Sequence, residues 1–420
     1  MSTQIDAPKG GELPPQRAGR PSLRLEFLDG LRGLAALYVV VFHLFNCDGL
    51  PRWATLCLLP LHMGHNAVTV FIALSGFSLM IPVVLSQDRA LKGGTLGYLK
   101  RRAWRIMPPY YAALAVSLLV LAISPEGLAF VHGVRDREWM MNFSLLPLVS
   151  HLFLFHNLQM AWSNPINVPM WSVATEWQIY FALPFVLLPV WRRFGAAPMV
   201  AAGFLVGMVP MSAALWHQNL SSACLWYLGV FALGAFGAIL SFGAGAQGSG
   251  LLTTNKGLLS LTAAAFVSYI LVARCLPPIH VSATASDFGT RFYVIEALKD
   301  LSIGVGVMCL LVFCARERHA TPPPLVLRLF CSRFAKTFGS FSYSLYLTHI
   351  IVQGPSGHLA QALHLSPLAN LVFRGLIIIP AVIGFAYAFY LIFERPFVVR
   401  RKQEKQGEGQ VGAVSRSVSS

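Results

Sequence analysis

The sequence predicts an all-α polytopic membrane protein with about ten transmembrane helices and both termini in the cytoplasm. Of its 420 residues, 55% are hydrophobic and 12% are charged, and the mean hydropathy is +0.61. A soluble globular domain carries about 25% charged residues. Apolar runs of about 20 residues recur, the length of helix that crosses the hydrocarbon core. The runs are continuous rather than alternating, which favours helices over the strands of a barrel.

The ten predicted spans are separated by segments that alternate in basic content. They cover residues 29–47, 64–84, 106–124, 171–190, 196–215, 224–242, 257–276, 292–314, 336–353 and 368–393. Basic residues cluster in segment 86–105, at Arg192 and Arg193, after the eighth span and after the tenth. Placing all four clusters in the cytoplasm puts both termini there and requires an even number of spans. This distribution also argues against nucleic-acid binding as the reason for the net charge of +15.

The membrane part is expected to form one domain, residues 25–400, between polar ends. Residues 1–24 and 401–420 are predicted to be disordered cytoplasmic segments, because they are polar and lack an apolar run. No cleavable signal peptide is evident, so the first span is expected to direct the chain to the plasma membrane or a bacterial inner membrane. The seven cysteines are odd in number and form no CxxC pair. They are interpreted as buried thiols, and no metal site is predicted.

One further apolar stretch, residues 139–158, competes with the ten-span count. A span there would break the alternation of basic segments. The stretch also contains two histidines and Pro147. It is interpreted as a re-entrant or interfacial element within the long outward segment 125–170.

The first span, LEFLDGLRGLAALYVVVFHLF at residues 25–45, carries an acid, a guanidinium and an imidazole. Arg32 and His43 are 11 residues apart, within about 20° of three whole turns, so they share one stripe about 16 Å long. Asp29 lies one turn before Arg32. Taken alone, Arg32 is interpreted as an anchor whose side chain reaches the lipid headgroups. Taken alone, His43 is interpreted as a buried group that hydrogen-bonds to a neighbouring helix. Together they predict a polar path across the membrane. His43 is expected in the outer third of the bilayer, where it is a candidate base.

Other polar residues are expected at similar depths. Glu176 lies about 8 Å along the fourth span from Trp171, which places it in the same outer third of the bilayer as His43. Tyr180 lies one helical turn further along, on the same face. In the ninth span, Tyr346 and His349 reach a similar depth, and His349 is a second candidate base. The charged residues near the outer end of the eighth span are expected to satisfy one another; they are Glu296, Lys299 and Asp300.

On the cytoplasmic side, Arg102 and Arg105 share one face at the start of the third span, before Pro108 and Pro109. Such a pair can clamp phosphate groups through bidentate hydrogen bonds. Equally, the pair can serve positive-inside topology and contact anionic lipids. Spacing alone leaves both interpretations open.

These residues resemble motifs of the membrane acyltransferase family 3 proteins. The sequence Asp29-Gly30-Leu31-Arg32-Gly33, with His43 eleven residues after Arg32, is similar to the family's first span. Further matches follow in order: FIALSGF (71–77), RRAWRIMPPYY (101–111), NPINVPMWSVATEWQIYF (164–181), then FSYSLYLTH (341–349) with FERPF (393–397). The resemblance covers residues 26–400. Many members carry two consecutive glutamates in the fourth span, whereas here Trp177 follows Glu176.

The resemblance implies transfer of an acyl group from cytoplasmic acyl-CoA to a hydroxyl of an extracytoplasmic acceptor. The acyl group is expected to be acetyl, and the acceptor a glycan or glycosylated metabolite. His43 would be the base or a transient acyl carrier, Glu176 would act at the acceptor, and Arg32, Arg102 and Arg105 would hold the donor's phosphates. The remaining substrate-binding candidates are Asp29, Tyr180, Tyr346 and His349. Acyl-CoA is a co-substrate, and no tightly bound cofactor is expected. Some members carry a C-terminal hydrolase-like domain; this sequence resembles the stand-alone form.

Two other classes remain as alternatives. A multi-pass transporter or exporter of a sugar-like or lipid-linked solute would use the polar stripe as a solute path. The sequence lacks the matching halves that such transporters often show. A structural or lipid-binding bundle would use the same polar groups only to join helices.

Overall fold

The computed structural model describes residues 25–45, 50–58, 61, 63–123, 145–163, 166–212, 223–243, 251–275 and 290–397. Within these ranges the chain is helical, with no strand. The predicted terminal segments 1–24 and 401–420 lie outside the described residues. The cytoplasmic placement of both termini therefore stays a prediction.

Fifteen helices are described in these ranges. They are α1 (Glu26–Phe45), α2 (Arg52–Leu58), α3 (Gly64–Val84), α4 (Gly94–Ile123), α5 (Leu145–Leu152), α6 (Met160–Ser163), α7 (Met170–Phe194), α8 (Ala196–Ser212), α9 (Tyr227–Phe242), α10 (Asn255–Cys275), α11 (Thr290–Arg316), α12 (Leu325–Phe330), α13 (Arg333–Ser340), α14 (Ser342–Ala362) and α15 (Pro367–Phe397). Single 3₁₀ turns cover His156–Leu158, Leu251–Thr253 and Glu317–His319. A π-helical turn interrupts α7 at Leu183–Leu187, and two interrupt α15, at Arg374–Ile378 and Tyr390–Glu394.

Seven of the described helices are long and apolar enough to cross a membrane: α1, α3, α4, α7, α10, α11 and α15. This confirms the prediction of an all-α polytopic membrane protein. The other three predicted spans correspond to α8, α9 and α14. The apolar parts of α8 and α9 are shorter, 10–17 residues, and α14 carries several buried polar side chains. For these three helices a membrane crossing stays a prediction.

Helix α4 begins at Gly94, twelve residues before the predicted start of the third span. Arg102 and Arg105 therefore lie on a continuous helix, one turn apart on the same face. Pro108 and Pro109 fall inside α4 and do not end it. The polar first turns of α4 carry no hydropathy signal, because a helix outside the lipid needs no apolar side chains.

The described part of the competing stretch 139–158 forms α5 and a 3₁₀ turn; residues 139–144 are not described. An eight-residue helix is about 12 Å long, too short for a span. The hydroxyl groups of Tyr110 and Tyr111 on α4 donate to the carbonyls of His151 and Leu152, at 2.9 and 2.7 Å. These bonds satisfy carbonyls at the end of α5 and tie the element to α4.

Helices α3 and α9 pack with their backbones in close approach. A Cβ on Gly76 would lie 2.0 Å from the carbonyl oxygen of Phe231, and a Cβ on Gly234 would lie 2.0 Å from that of Ala73. Only glycine fits at either position. Lipid tails are as apolar as the helix surfaces, so membrane helices associate through such close packing. The contact fixes α3, the helix that carries Ser75, against the core of the bundle.

The buried carboxylate of Asp300 on α11 joins three parts of the bundle. It accepts hydrogen bonds from the Thr69 hydroxyl at 2.5 Å and the Trp226 indole N–H at 2.9 Å. His65 Nε2 lies 3.4 Å from the same carboxylate. Glu296 and Lys299 pair with each other at 2.7 Å, as expected. The expectation for Asp300 was wrong, because among the described residues its partners come from α3 and the start of α9.

The stacked histidines of the 145–158 region predict a pH-dependent stability. The ring centroids of His151 and His156 lie 3.8 Å apart, with their planes within 5°. Burial lowers the pKa of His151 to about 4. Burial, with repulsion from His151, lowers the pKa of His156 to about 3. Unfolded histidine titrates near 6.5, so below that pH the unfolded state binds more protons than the folded state.

The free energy of unfolding is therefore expected to fall as the pH falls from about 6.5 toward 4, and to lose this dependence above pH 7. Melting temperatures measured in detergent between pH 4.5 and 8 give this slope. The matched variant His151→Phe/His156→Phe keeps a stacked aromatic pair and should show a smaller slope. Equal slopes in the two proteins would contradict the prediction.

Candidate active site

Five helices, α1, α3, α4, α7 and α14, line one cavity. The polar residues that line it are Arg32, Ser75, Ser78, Arg102, Arg105, Ser172, Glu176, Tyr180, Ser342, Tyr343 and Tyr346. Apolar side chains of α3, α4 and α7 complete the wall. Six of the predicted site residues therefore line one cavity: Arg32, Arg102, Arg105, Glu176, Tyr180 and Tyr346.

Three arginines from two helices meet at this cavity. Arg32 comes from α1, and its Nη1 lies 3.5 Å from Asp29 Oδ1. Arg102 and Arg105 come from α4, and the guanidinium of Arg102 lies 6.0 Å from the centre of the Tyr180 ring, a cation–π contact. Arg102 Nε is buried without a hydrogen-bond partner in the described structure. Guanidinium groups bind anions such as phosphate, so three of them at one cavity can hold an anionic ligand, although the nearby carboxylates of Asp29, Glu176 and Glu394 offset part of their charge.

Glu176 lies with the arginines rather than with His43. Its Oε1 accepts a hydrogen bond from the Ser75 hydroxyl at 2.6 Å and another from the Tyr180 hydroxyl. Ser75 lies eleven residues, about 16 Å, along α3 from its start. Among the described residues, no contact joins Glu176 to His43, and His43 does not line the cavity. A role of Glu176 at the acceptor stays a prediction.

From the wall of the cavity, one hydrogen bond and two ring contacts lead toward His43. The hydroxyls of Ser172 and Tyr346 lie 2.8 Å apart. The centre of the Tyr346 ring is 5.8 Å from that of His349, which in turn is 5.1 Å from that of His43. The structure therefore brings together the two predicted base candidates, one from α1 and one from α14.

Sequence reasoning missed several polar residues of this site. Ser75, Ser172 and Tyr343 line the cavity, and each lies in a stretch that matched the family. Glu394, in the matching stretch FERPF, accepts hydrogen bonds from the backbone N–H and the hydroxyl of Ser344, at 3.1 and 2.5 Å. It occupies a π-helical turn, a feature that often occurs at functional sites. All four residues lie inside stretches that match the family motifs, and this position in the motifs could have identified them from the sequence.

These features define a class: a polytopic all-α membrane protein with an internal polar cavity, cationic along one part and approached at the other by a histidine pair. A family model described as "Acyltransferase domain" matches residues 25–391. The chain belongs to this family, which confirms the resemblance seen in its motifs.

Curated relatives point to the same chemistry. Two proteins named O-acetyltransferase OatA, from Staphylococcus aureus strains NCTC 8325 / PS 47 and COL, are 23% identical to this chain over 200 residues. The alignment covers 44% of this chain and 28% of each relative. The chain thus matches less than a third of the length of these relatives. No solved structure matches it.

Proposed function

We propose that the protein moves an acyl group, acetyl in the simplest case, from cytoplasmic acyl-CoA to a hydroxyl of an extracytoplasmic glycan or glycosylated metabolite. One observation carries this proposal: a single cavity joins the three arginines to the Ser172–Tyr346 pair, which adjoins His349 and His43. The family and the name of the relatives support O-acyl transfer as the reaction class. The proposed location is the plasma membrane or a bacterial inner membrane.

The arginine end suits the donor. Arg102 and Arg105 lie at the end of segment 86–105, whose basic residues favour the cytoplasmic side. Guanidinium groups bind phosphate oxygens through paired hydrogen bonds, and coenzyme A carries several phosphates. Apolar side chains, Phe71, Ile72 and Val173 among them, also line the cavity. A thioester arm can lie there with its phosphates at the arginines and its acyl carbon toward Tyr346.

At the other end, His43 acts as general base toward the acceptor hydroxyl or as the transient acyl carrier. Tyr346 and Ser172, hydrogen-bonded to each other, lie where they can position the thioester. Glu176, held by Ser75 and Tyr180, can accept a hydrogen bond from an amide of the donor arm and offsets part of the arginine charge.

Labelled donor tests the proposal directly. Vesicles containing the purified protein receive acetyl-CoA labelled in the acetyl group on one face and candidate glycans on the other. The expected product is a labelled, base-sensitive ester on the glycan. Movement of an unmodified sugar-like solute without label transfer would overturn the proposal in favour of an exporter.

The double variant Arg102→Ala/Arg105→Ala is expected to raise the apparent KM for acyl-CoA by about tenfold or more, because each charged hydrogen bond to phosphate is worth about 1.5–3 kcal/mol. The effect should be larger at low salt, with kcat changed less. The matched control Lys100→Ala/Arg193→Ala removes two exposed charges that do not line the cavity. Equal KM values in the two variants would show that Arg102 and Arg105 do not bind the donor and serve only to set the membrane topology.

A further inference from the structure

The hydrogen bonding of His349 determines which of its ring nitrogens carries a proton. Nδ1 lies 2.6 Å from the backbone carbonyl oxygen of Tyr346, in the preceding turn of α14. A carbonyl oxygen only accepts, so Nδ1 carries the hydrogen. In the neutral ring, Nε2 is then a lone-pair acceptor.

Among the described residues, this acceptor nitrogen has no hydrogen-bond partner. The side chain of His349 is completely buried, and its Nε2 is a buried atom without a hydrogen bond in the described part of the chain. A buried polar atom left unpaired costs free energy. The Nδ1 bond orients the ring, and it leaves the lone pair of Nε2 available to accept a proton from a neighbouring group.

The ring of His43 is the nearest imidazole to this base. The two ring centroids lie 5.1 Å apart, with their planes tilted by 35°. His43 is half-buried and makes no hydrogen bond with any described residue. Rotation about the Cβ–Cγ bond of an imidazole side chain is broad rather than confined to one staggered well, so the His43 ring can turn toward His349.

Contacts on both sides of His43 hold the two rings at this separation. Gln353 on α14 donates to the carbonyl of Val40 at 3.1 Å, and Arg374 on α15 donates to the carbonyl of Leu44 at 3.0 Å. Arg374 is itself oriented by Asn370, at 3.0 Å. The last turn of α1 is therefore fixed against the helix that carries His349.

We propose that His349 is the catalytic proton acceptor for His43, taking at its Nε2 the proton that the His43 ring must release during acyl transfer. The proposal rests on the acyltransferase function proposed above. It holds whether His43 acts as base or as acyl carrier, because the ring of His43 sheds a proton in both cases.

In the base route, the acceptor oxygen bonds to the acyl carbon as the carbon–sulfur bond breaks. The hydroxyl proton goes to one nitrogen of His43, and the proton on the other nitrogen goes to His349. In the carrier route, a nitrogen of His43 bonds to the acyl carbon, the carbon–sulfur bond breaks, and the proton on its other nitrogen goes to His349. The acceptor oxygen then bonds to the acyl carbon, the bond between that carbon and His43 breaks, and the hydroxyl proton returns to His43. In both routes His349 becomes an imidazolium. It then gives its extra proton to the coenzyme A thiolate, which leaves the site as the free thiol.

The variant His349→Asn tests this role, since its amide N–H can keep the bond to the Tyr346 carbonyl while Nε2 is lost. The expected result is a kcat about 10²-fold lower, a KM for acyl-CoA within about twofold of wild type, and a residual rate that rises with pH as hydroxide replaces the missing base. The groups that face the site and can titrate in the same experiment are His43 and Tyr346, with the charge of Arg374 nearby.

An unchanged kcat in His349→Asn, or a raised KM with kcat intact, would overturn the proposal while wild-type transfer stands. A wild type that moves no acyl group from acyl-CoA would instead refute the proposed function. A second measurement uses the wild-type protein and therefore does not depend on whether a variant of His349 folds. In wild-type protein labelled with ¹⁵N-histidine, the resonances of His349 should show a protonated Nδ1 and an unprotonated Nε2 near neutral pH, and the opposite tautomer would end the proposal.

Discussion

Replacing His43 with alanine is expected to lower acyl transfer by about 10³-fold, because the change removes the group proposed as base or acyl carrier. Stability should fall by about 1 kcal/mol, the usual cost of a single substitution, since the half-buried ring packs against Phe42 and His349 but no described residue hydrogen-bonds to it. Initial rates of label transfer and melting temperatures, measured on the same detergent preparation, check both parts.

The matched control is His364→Ala, an exposed histidine outside the cavity, which should transfer label at the wild-type rate. Full activity in His43→Ala would remove the central residue of the proposed mechanism. Rapid quenching of wild type with labelled donor and no acceptor separates the two routes. Label retained on His43 indicates a carrier, and its absence indicates a base.

Replacing Asp300 with alanine is expected to lower the free energy of unfolding by about 3 to 5 kcal/mol. The carboxylate is buried and accepts from Thr69 and Trp226, with His65 beside it. Its removal leaves the Trp226 indole N–H and the Thr69 hydroxyl without this acceptor, and each unpaired buried group costs about 1–3 kcal/mol. Melting temperature in detergent, or equilibrium unfolding where it is reversible, measures the loss.

Asp88→Ala serves as the control, because Asp88 is exposed in the turn before α4, and its change should stay within about 0.5 kcal/mol. Asp300→Asn keeps the shape and one acceptor oxygen, so its loss should be smaller than that of Asp300→Ala. Equal stability of Asp300→Ala and Asp88→Ala would show that the Asp300 contacts do not hold α3, α9 and α11 together.

The family and the fold class could be predicted from local features. Lipid provides no hydrogen bonds to a backbone, so long apolar runs must be helices, and their positions follow from hydropathy. The beginning of α4 at Gly94 could not be found this way, because its first turns carry no apolar pattern. The short helix α5 shows the same limit: its apolar sequence resembles a span, and only its eight-residue length excludes one.

The contacts of Glu176 illustrate what counting along a single helix leaves open. Glu176 lies about 8 Å along the helix from the predicted start of the fourth span, and this distance suggested a place beside His43. In the structure its carboxylate instead contacts Ser75 of α3, in the arginine cavity. Tilt and packing against neighbouring helices decide which side chains meet, and neither is encoded in spacing along one helix.

The sequence by itself determined the membrane environment, the helical class, the family, and the alignment of Arg32 with His43 along α1, because each depends on composition or on the 3.6-residue period of one helix. Only the tertiary structure decided that His349 faces His43, that Glu176 joins the arginines, and that Asp300 holds α11 to α3. Those contacts link residues between about 70 and 310 positions apart. They depend on how whole helices pack, and packing follows from the joint fit of many side chains rather than from any one segment.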